Sequence, residues 1–148
     1  MSNKKRIIQW TNSILHEISE LDHNKGIQIL HQCGVACSKS SRILKNIVKI
    51  RNEHEIEDDF DKLFHVFKEN YYNTERLSKR GNKIILVFEE CSCPLAKAGL
   101  DNSYLCNCTL GYTKNIFETL FDKPVEVELV KTILRGDQIC KQIISITE

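Results

Sequence analysis

The sequence predicts an α+β fold, with N-terminal helices packed on a small antiparallel sheet that ends in a C-terminal β-hairpin. Three observations predict it. Apolar residues recur at helical spacing through the first 72 residues. A short, continuous, β-forming run then appears at Ile84 to Phe88. Near the end, Val125, Val127 and Leu129 alternate with Glu126, Glu128 and Val130, and Ile139 to Ile146 returns as a partner strand. Helices followed by strands, without regular βα alternation, specify an antiparallel sheet.

Each element follows from its own pattern. Residues 4–21 place Ile7, Ile8, Ile14, Leu15, Ile18 and Leu21 at helical spacing, with charges between them. Asp22-His23-Asn24 is a break and cap. A second helix carries Ile27, Leu30, Cys33 and Cys37 on one stripe. Ser38, Ser40 or Ser41 caps a third, with Ile43, Leu44, Ile47 and Val48 inward. Residues 52–59 are acidic and solvated. A fourth helix aligns Phe60, Leu63, Phe64, Phe67 and Tyr71. Residues 73–82 are polar and end in the turn signal Gly81-Asn82. Residues 95–105 read as loop, or at most one short turn. Thr109 to Phe121 is helical and stops at Pro124, and Arg135-Gly136-Asp137 turns the closing hairpin.

The 148 residues suit a single domain, 1–148, with one core. Its first part, 1–72, is mainly helical. Its second, 83–146, holds a strand, a cysteine loop, a helix and the hairpin. Charged residues make up 28% and sum to +1, and the pI is about 7.6. That balance lacks the basic stripe of a dedicated nucleic-acid binder, so no nucleic acid is expected. No apolar run reaches the roughly 18 residues of a membrane span, so no membrane is expected either. The basic start, Met1 to Arg6, leads into an amphipathic helix rather than a signal-peptide core. A cytoplasmic location follows.

Seven cysteines then need a reason. A reducing compartment and an odd count both argue against a disulfide framework. Cys91-x-Cys93 and Cys106-x-Cys108 make the sharpest pattern. The first pair follows a strand and the second precedes a helix. Four thiolates there would close a tetrahedral zinc site and pin the loop between them. The single residue within each pair is tighter than the usual zinc spacing. Copper(I) suits soft thiolates too, while an iron–sulfur cluster is disfavoured because its usual spacings are missing. Small buried hydrophobes are the alternative, since free cysteine is among the most buried residue types.

Cys106 and Cys108 stand at the predicted start of a helix, where free amides lower a thiol pKa, and Lys97 adds to this if the loop folds back. Cys33 and Cys37 share a helix face and join the cluster if that helix packs under the loop; Gly34 and Ala36 between them allow close backbone approach. Cys140 shares a strand face with Gln142 and Ile144. These three cysteines are secondary candidates.

Other constellations are weaker. His16, His23, His31, His54 and His65 show neither HxH nor HExxH spacing, and His31 alone lies near a cysteine. Asp58, Asp59 and Asp61 read as a solvated face, and Arg76, Lys79, Arg80 and Lys83 as a solvated turn. No GxSxG, P-loop or GxGxxG motif occurs.

Leu134-Arg135-Gly136-Asp137-Gln138-Ile139-Cys140, followed by alternating apolar residues, resembles the end of the 4-vinyl reductase-like small-molecule-binding domains. It is also similar to the L-2-amino-thiazoline-4-carboxylic acid hydrolase-like family. The likeness covers roughly 83–146, with Cys33-Gly34-x-x-Cys37 besides. It implies helices on an antiparallel sheet with a cavity between them, and cysteines of the loop and last strand near that cavity.

Three readings result. The first is a small-molecule-binding or sensory domain whose cysteine cluster holds a metal. The second is a hydrolase opening a thiazoline-like ring through a thiolate or a metal-bound water, with Glu89, Glu90 or another element as base. The third is a thiol redox sensor. The expected partner is a small-molecule ligand, and a homodimer is left open.

Overall fold

A computed structural model describes residues 2–53, 59–71 and 76–147 of the chain, and the backbone only at Tyr71. Most of the acidic stretch at 52–59, with His54 and Asp58, lies outside the described residues, as does the start of the polar stretch at 73–82.

Four helices come first: α1 (Asn3–Ser19), α2 (His23–Ser40), α3 (Ile43–Glu53) and α4 (Phe60–Tyr71). Local chemistry sets their starts. Ser2 Oγ accepts from the Lys5 amide at 3.3 Å, and Asp22 Oδ1 accepts from the Asn24 and Lys25 amides at 3.1 and 3.4 Å. Strands β1 (Leu77–Arg80) and β2 (Lys83–Phe88) follow, then a short helix α5 (Pro94–Ala98), a 3₁₀ turn at Ser103–Asn107 and the long helix α6 (Cys108–Phe121). Strand β3 (Val125–Lys131), a second 3₁₀ turn at Ile133–Arg135 and strand β4 (Cys140–Ile146) complete the chain. The strands form one antiparallel sheet in the order β1-β2-β4-β3. The α+β class and the closing β3–β4 pair are as the sequence predicts.

Four details differ. First, β1 occupies part of the stretch read as a polar turn. Leu77 is its one fully buried side chain, so no alternation marked it. It pairs with β2 across Gly81-Asn82, where Gly81 takes φ 61° at no steric cost. Second, the loop read at 95–105 contains α5 and most of the first 3₁₀ turn. Pro94 starts α5 and Gly99, at φ 121°, ends it. Third, the β3–β4 connection is longer than a tight hairpin. Thr132 caps the 3₁₀ turn through the Arg135 amide at 3.2 Å, and Gly136 at φ 102° reverses the chain. Fourth, the buried stripe of α2 is Gly26, Leu30, Gly34 and Ser38, not the one through Cys33. Small residues win that face because another helix lies against it.

That other helix is α6, which packs against α2, α3 and β3. Its buried residues include Gly111, Thr113, Ile116, Phe117, Leu120 and Phe121. Phe117 meets Phe67 edge-on at 5.6 Å between ring centroids, over a core of Ile47, Leu63, Leu77, Ile84, Val125 and Ile144. The chain leaves α6 through Asp122 in the left-handed conformation, two residues before Pro124. A smaller core of Leu15, Leu30, Leu100 and Leu105 joins α1 and α2 to the cysteine loop.

Candidate functional site

The cysteines gather where four elements end. Strand β2 stops at Phe88, and Cys91 and Cys93 follow it, with Cys93 immediately before Pro94 of α5. Cys106 lies within the 3₁₀ turn and Cys108 opens α6. Cys140 begins β4 and pairs in register with Phe88.

One tether joins the two 3₁₀ turns, and another ties the second turn to β4. Arg135 Nη2 donates to Asn107 Oδ1 at 3.2 Å, and Asn107 Nδ2 donates to the Tyr104 carbonyl at 3.1 Å. The Ile133 amide donates to Cys140 Sγ at 3.3 Å. Asp137 Oδ2 accepts from the Thr132 amide at 2.9 Å, which sets the Thr132 side chain against the Cys106 thiol.

Between these elements lie two adjoining cavities. The smaller, about 60 Å³, is lined by Cys91, Cys93, Cys106 and Cys140, with Thr132 beside them. Lys131 is the one charged residue on its wall among the described residues. The larger, about 320 Å³, is lined by Cys37, Cys93 and Cys108 and by Leu86, Phe88, Leu95 and Tyr112. No Asp, Glu, Lys, Arg or His lines it among the described residues. Cys93, Phe88, Ser92, Thr109 and Gln142 form the wall shared by the two.

The paired cysteines of the sequence therefore divide. Cys91, Cys93 and Cys106 face the small cavity, where Cys140 joins them. Cys108 faces the large one with Cys37. Cys33 is exposed on α2, although it is near enough to add to the charge environment of Cys108. All seven cysteines are free thiols. Among the described residues, no group of three or more His, Cys, Asp or Glu side chains stands ready to hold a metal ion.

Burial governs the thiols. It pushes the Cys108 thiol up to about 12, reinforced by the neighbouring sulfurs of Cys93, Cys37, Cys106 and Cys33. It also raises Cys106, against the lowering effects of the Thr132 contact and the Arg135 charge. Cys140 is raised too, against the amide of Ile133. The expectation that a helix start would lower Cys106 and Cys108 is thus corrected. The 3₁₀ turn runs straight into α6 with Asn107 already in the helical conformation, and the Cys108 amide donates to Leu105 rather than pointing free.

The bases considered from sequence are not brought to the thiols. His16, His23 and His65 are exposed, and His65 stands 3.1 Å from Glu69. His31, half-buried, and the exposed Glu89 and Glu90 line neither cavity. Lys97 is exposed and lines neither. Lys79 turns away to Asp61 and to the Phe60 ring, 4.6 Å from its centroid.

The site holds one pair that the sequence reading passed over. Thr113 Oγ1 donates to Gln142 Oε1 at 2.6 Å, and both residues are buried. A glutamine on the inward face of an otherwise apolar strand was the available signal.

Helices on one face of a four-stranded antiparallel sheet, with a cysteine-lined double cavity between the layers, define the class of domain. The chain belongs to a family of unknown function, DUF6144, which it matches over residues 1–148. No functionally curated protein matches it. Among solved structures it is similar to a trafficking protein particle complex subunit 3 from Naegleria fowleri, covalently bound to palmitic acid. The two share 15% identity and a TM-score of 0.54, over 99% of this chain and 96% of that one. At that identity the likeness extends to the fold. No described helix is long and apolar enough to cross a membrane.

Proposed function

We propose that this protein is a cytoplasmic small-molecule-binding domain in which Cys91, Cys93, Cys106 and Cys140 hold a metal ion beside an uncharged, largely apolar ligand pocket. The observation that carries the reading is the pair of adjoining cavities with Cys93 in their common wall. The small one suits an ion rather than an organic ligand. Four sulfurs are the donor set that zinc takes in closed structural sites, with copper(I) as the other soft candidate. The likeness of 83–146 to 4-vinyl reductase-like domains supports the ligand-binding half.

Elemental analysis of untagged protein, purified without chelators, tests the reading. About one metal per chain is expected for a closed site. Cys106→Ser and Cys140→Ser should lose it, while Cys108→Ser should keep it. Trace metal only, with every native thiol titrating freely, would sink the metal half. Thermal-shift screening of uncharged apolar compounds tests the pocket, and Leu95→Trp, which fills it, should abolish any stabilisation.

A second reading draws on the same large cavity. Its wall carries three thiols, Leu86, Phe88, Leu95 and Tyr112, and no charged side chain among the described residues, which suits a covalently held acyl chain. The structurally similar trafficking subunit carries palmitic acid covalently. Transfer from an acyl thioester would form a new thioester at a pocket sulfur and release the donor thiol. Intact-mass measurement after incubation with palmitoyl thioester decides it. An added acyl mass lost on hydroxylamine treatment supports this reading, and an unchanged mass removes it.

A further inference from the structure

Helix α1 has two apolar faces, and only one is covered. Ile8, Leu15 and Ile18 point into the small core. Ile7, Trp10 and Ile14 lie on the other flank and stay exposed, at 64, 69 and 37%. Their spacing of three and four residues is that of a helix-pairing seam. Trp10 is the single tryptophan of the chain, and its side chain stands in solvent beside a shallow groove lined by Arg6, Ile7, Gln9 and Ser13. Isolated exposed apolar residues are ordinary. A tryptophan within a contiguous stripe marks a contact surface.

The charges on α1 say what covers it. Lys4, Lys5 and Arg6 occupy the first turn, where the helix dipole disfavours cations, and no acidic residue offsets them. Glu17 stands near the other end, where an anion is disfavoured. Neither Arg6 nor Glu17 has an ion-pair partner among the described residues. At 100° per residue both project on the same flank of the stripe. This arrangement is self-complementary under a two-fold axis. If Trp10 faces Ile14 of a second copy, the antiparallel register sets Ile7 opposite Glu17 and puts Arg6 beside that Glu17. The two helix dipoles then also oppose each other.

We infer that α1 is the homodimer interface, two copies pairing antiparallel through Ile7, Trp10 and Ile14, with Arg6 of each copy against Glu17 of the other. The pairing leaves the cysteine cavities free, since none of their lining residues is on α1.

Analytical ultracentrifugation of the full chain tests this. Wild type should sediment as a dimer at micromolar concentration. Because Ile14 and Trp10 are exposed, Ile14→Glu and Trp10→Lys should keep the wild-type circular dichroism while weakening association at least about tenfold. Arg6→Glu alone and Glu17→Arg alone should weaken it too, and an equimolar mixture of those two variants should dimerise again. Trp10 emission should shift to the blue as the dimer forms. A monomeric wild type overturns the inference, as does a dimer that survives both Ile14→Glu and Trp10→Lys. Failure of the two charge variants to restore each other removes the antiparallel register.

Discussion

Gly34 of α2 and Gly111 of α6 sit at one helix crossing, each against a carbonyl of the opposite helix. A Cβ on Gly34 would run into the Cys108 carbonyl, and a Cβ on Gly111 into the His31 carbonyl. The two glycines therefore let the backbones touch, and this contact sets where Cys108 and Cys37 meet. Neither carbonyl is the flexible end of a side chain, so neither can yield cheaply. Gly34→Ala and Gly111→Ala should each destabilise the fold by about 1–3 kcal/mol, as overpacked cores do. Urea denaturation monitored by circular dichroism measures it. Gly81→Ala is the control for a glycine needed for its φ alone, because nothing lies within 4 Å of a Cβ there.

The buried pair Thr113–Gln142 makes a second prediction. Each partner satisfies the other at 2.6 Å. Removing one leaves a buried polar group unpaired, at a cost of about 1–3 kcal/mol. Thr113→Val and Gln142→Leu should each show that loss in denaturant midpoints. The double variant should lose less than the sum, because it removes both polar groups together. Strict additivity would mean that the pair does not act as one unit.

These two sites show what the sequence made legible and what it hid. The helices, the central strand and the closing antiparallel pair were readable because one face of each is buried, and burial writes a period into the residues. Strand β1 was hidden because Leu77 is its one fully buried side chain. The inner face of α2 was misread because, Leu30 apart, its buried residues are two glycines and a serine, which carry no hydropathy signal. The cysteine pairs gather at one end of the fold, around the two adjoining cavities. Their division between two cavities was not readable, since it depends on the 3₁₀ turn that points Cys106 toward Cys140 and leaves Cys108 facing Cys37. Spacing in sequence does not encode that rotation.

Arg135 tests how firmly the small cavity is held. Its guanidinium joins the two 3₁₀ turns through Asn107, one residue after Cys106. Arg135→Met keeps the length of the side chain and removes the hydrogen bond. Stability should fall by about 1–3 kcal/mol, because the buried Asn107 Oδ1 loses its charged donor. Metal affinity should fall with it if Cys106 and Cys140 share an ion. A variant of unchanged stability and unchanged metal content would show that the tether is dispensable.

Thiol reactivity should follow burial. Cys33 is exposed and should be alkylated first by iodoacetamide in the native protein. Cys108, pushed up to about 12 by burial, should be the slowest, because the thiolate is the nucleophile. Peptide mass mapping over time reads the order. Rapid labelling of Cys108 in folded protein at neutral pH would contradict its burial.

The same thiols fix the sign of the alkaline response in chelator-treated protein. Folding raises the pKa of Cys106, Cys108 and Cys140, so the folded chain keeps those protons to higher pH than the unfolded chain does. Where the unfolded state binds fewer protons, unfolding free energy falls as pH rises. Their contribution to stability is therefore complete below the ordinary thiol value of about 8.5. It declines above that and is lost as pH passes the folded value, which for Cys108 is about 12. Melting temperatures taken upward from pH 8 should fall more steeply for wild type than for Cys108→Ala, whatever the offset between the two at pH 7. Parallel curves would mean that Cys108 is as easily ionised in the folded chain as in the unfolded one. Metal-loaded protein should respond with the opposite sign, losing stability as the pH falls, because protons then compete with the ion for the thiolates.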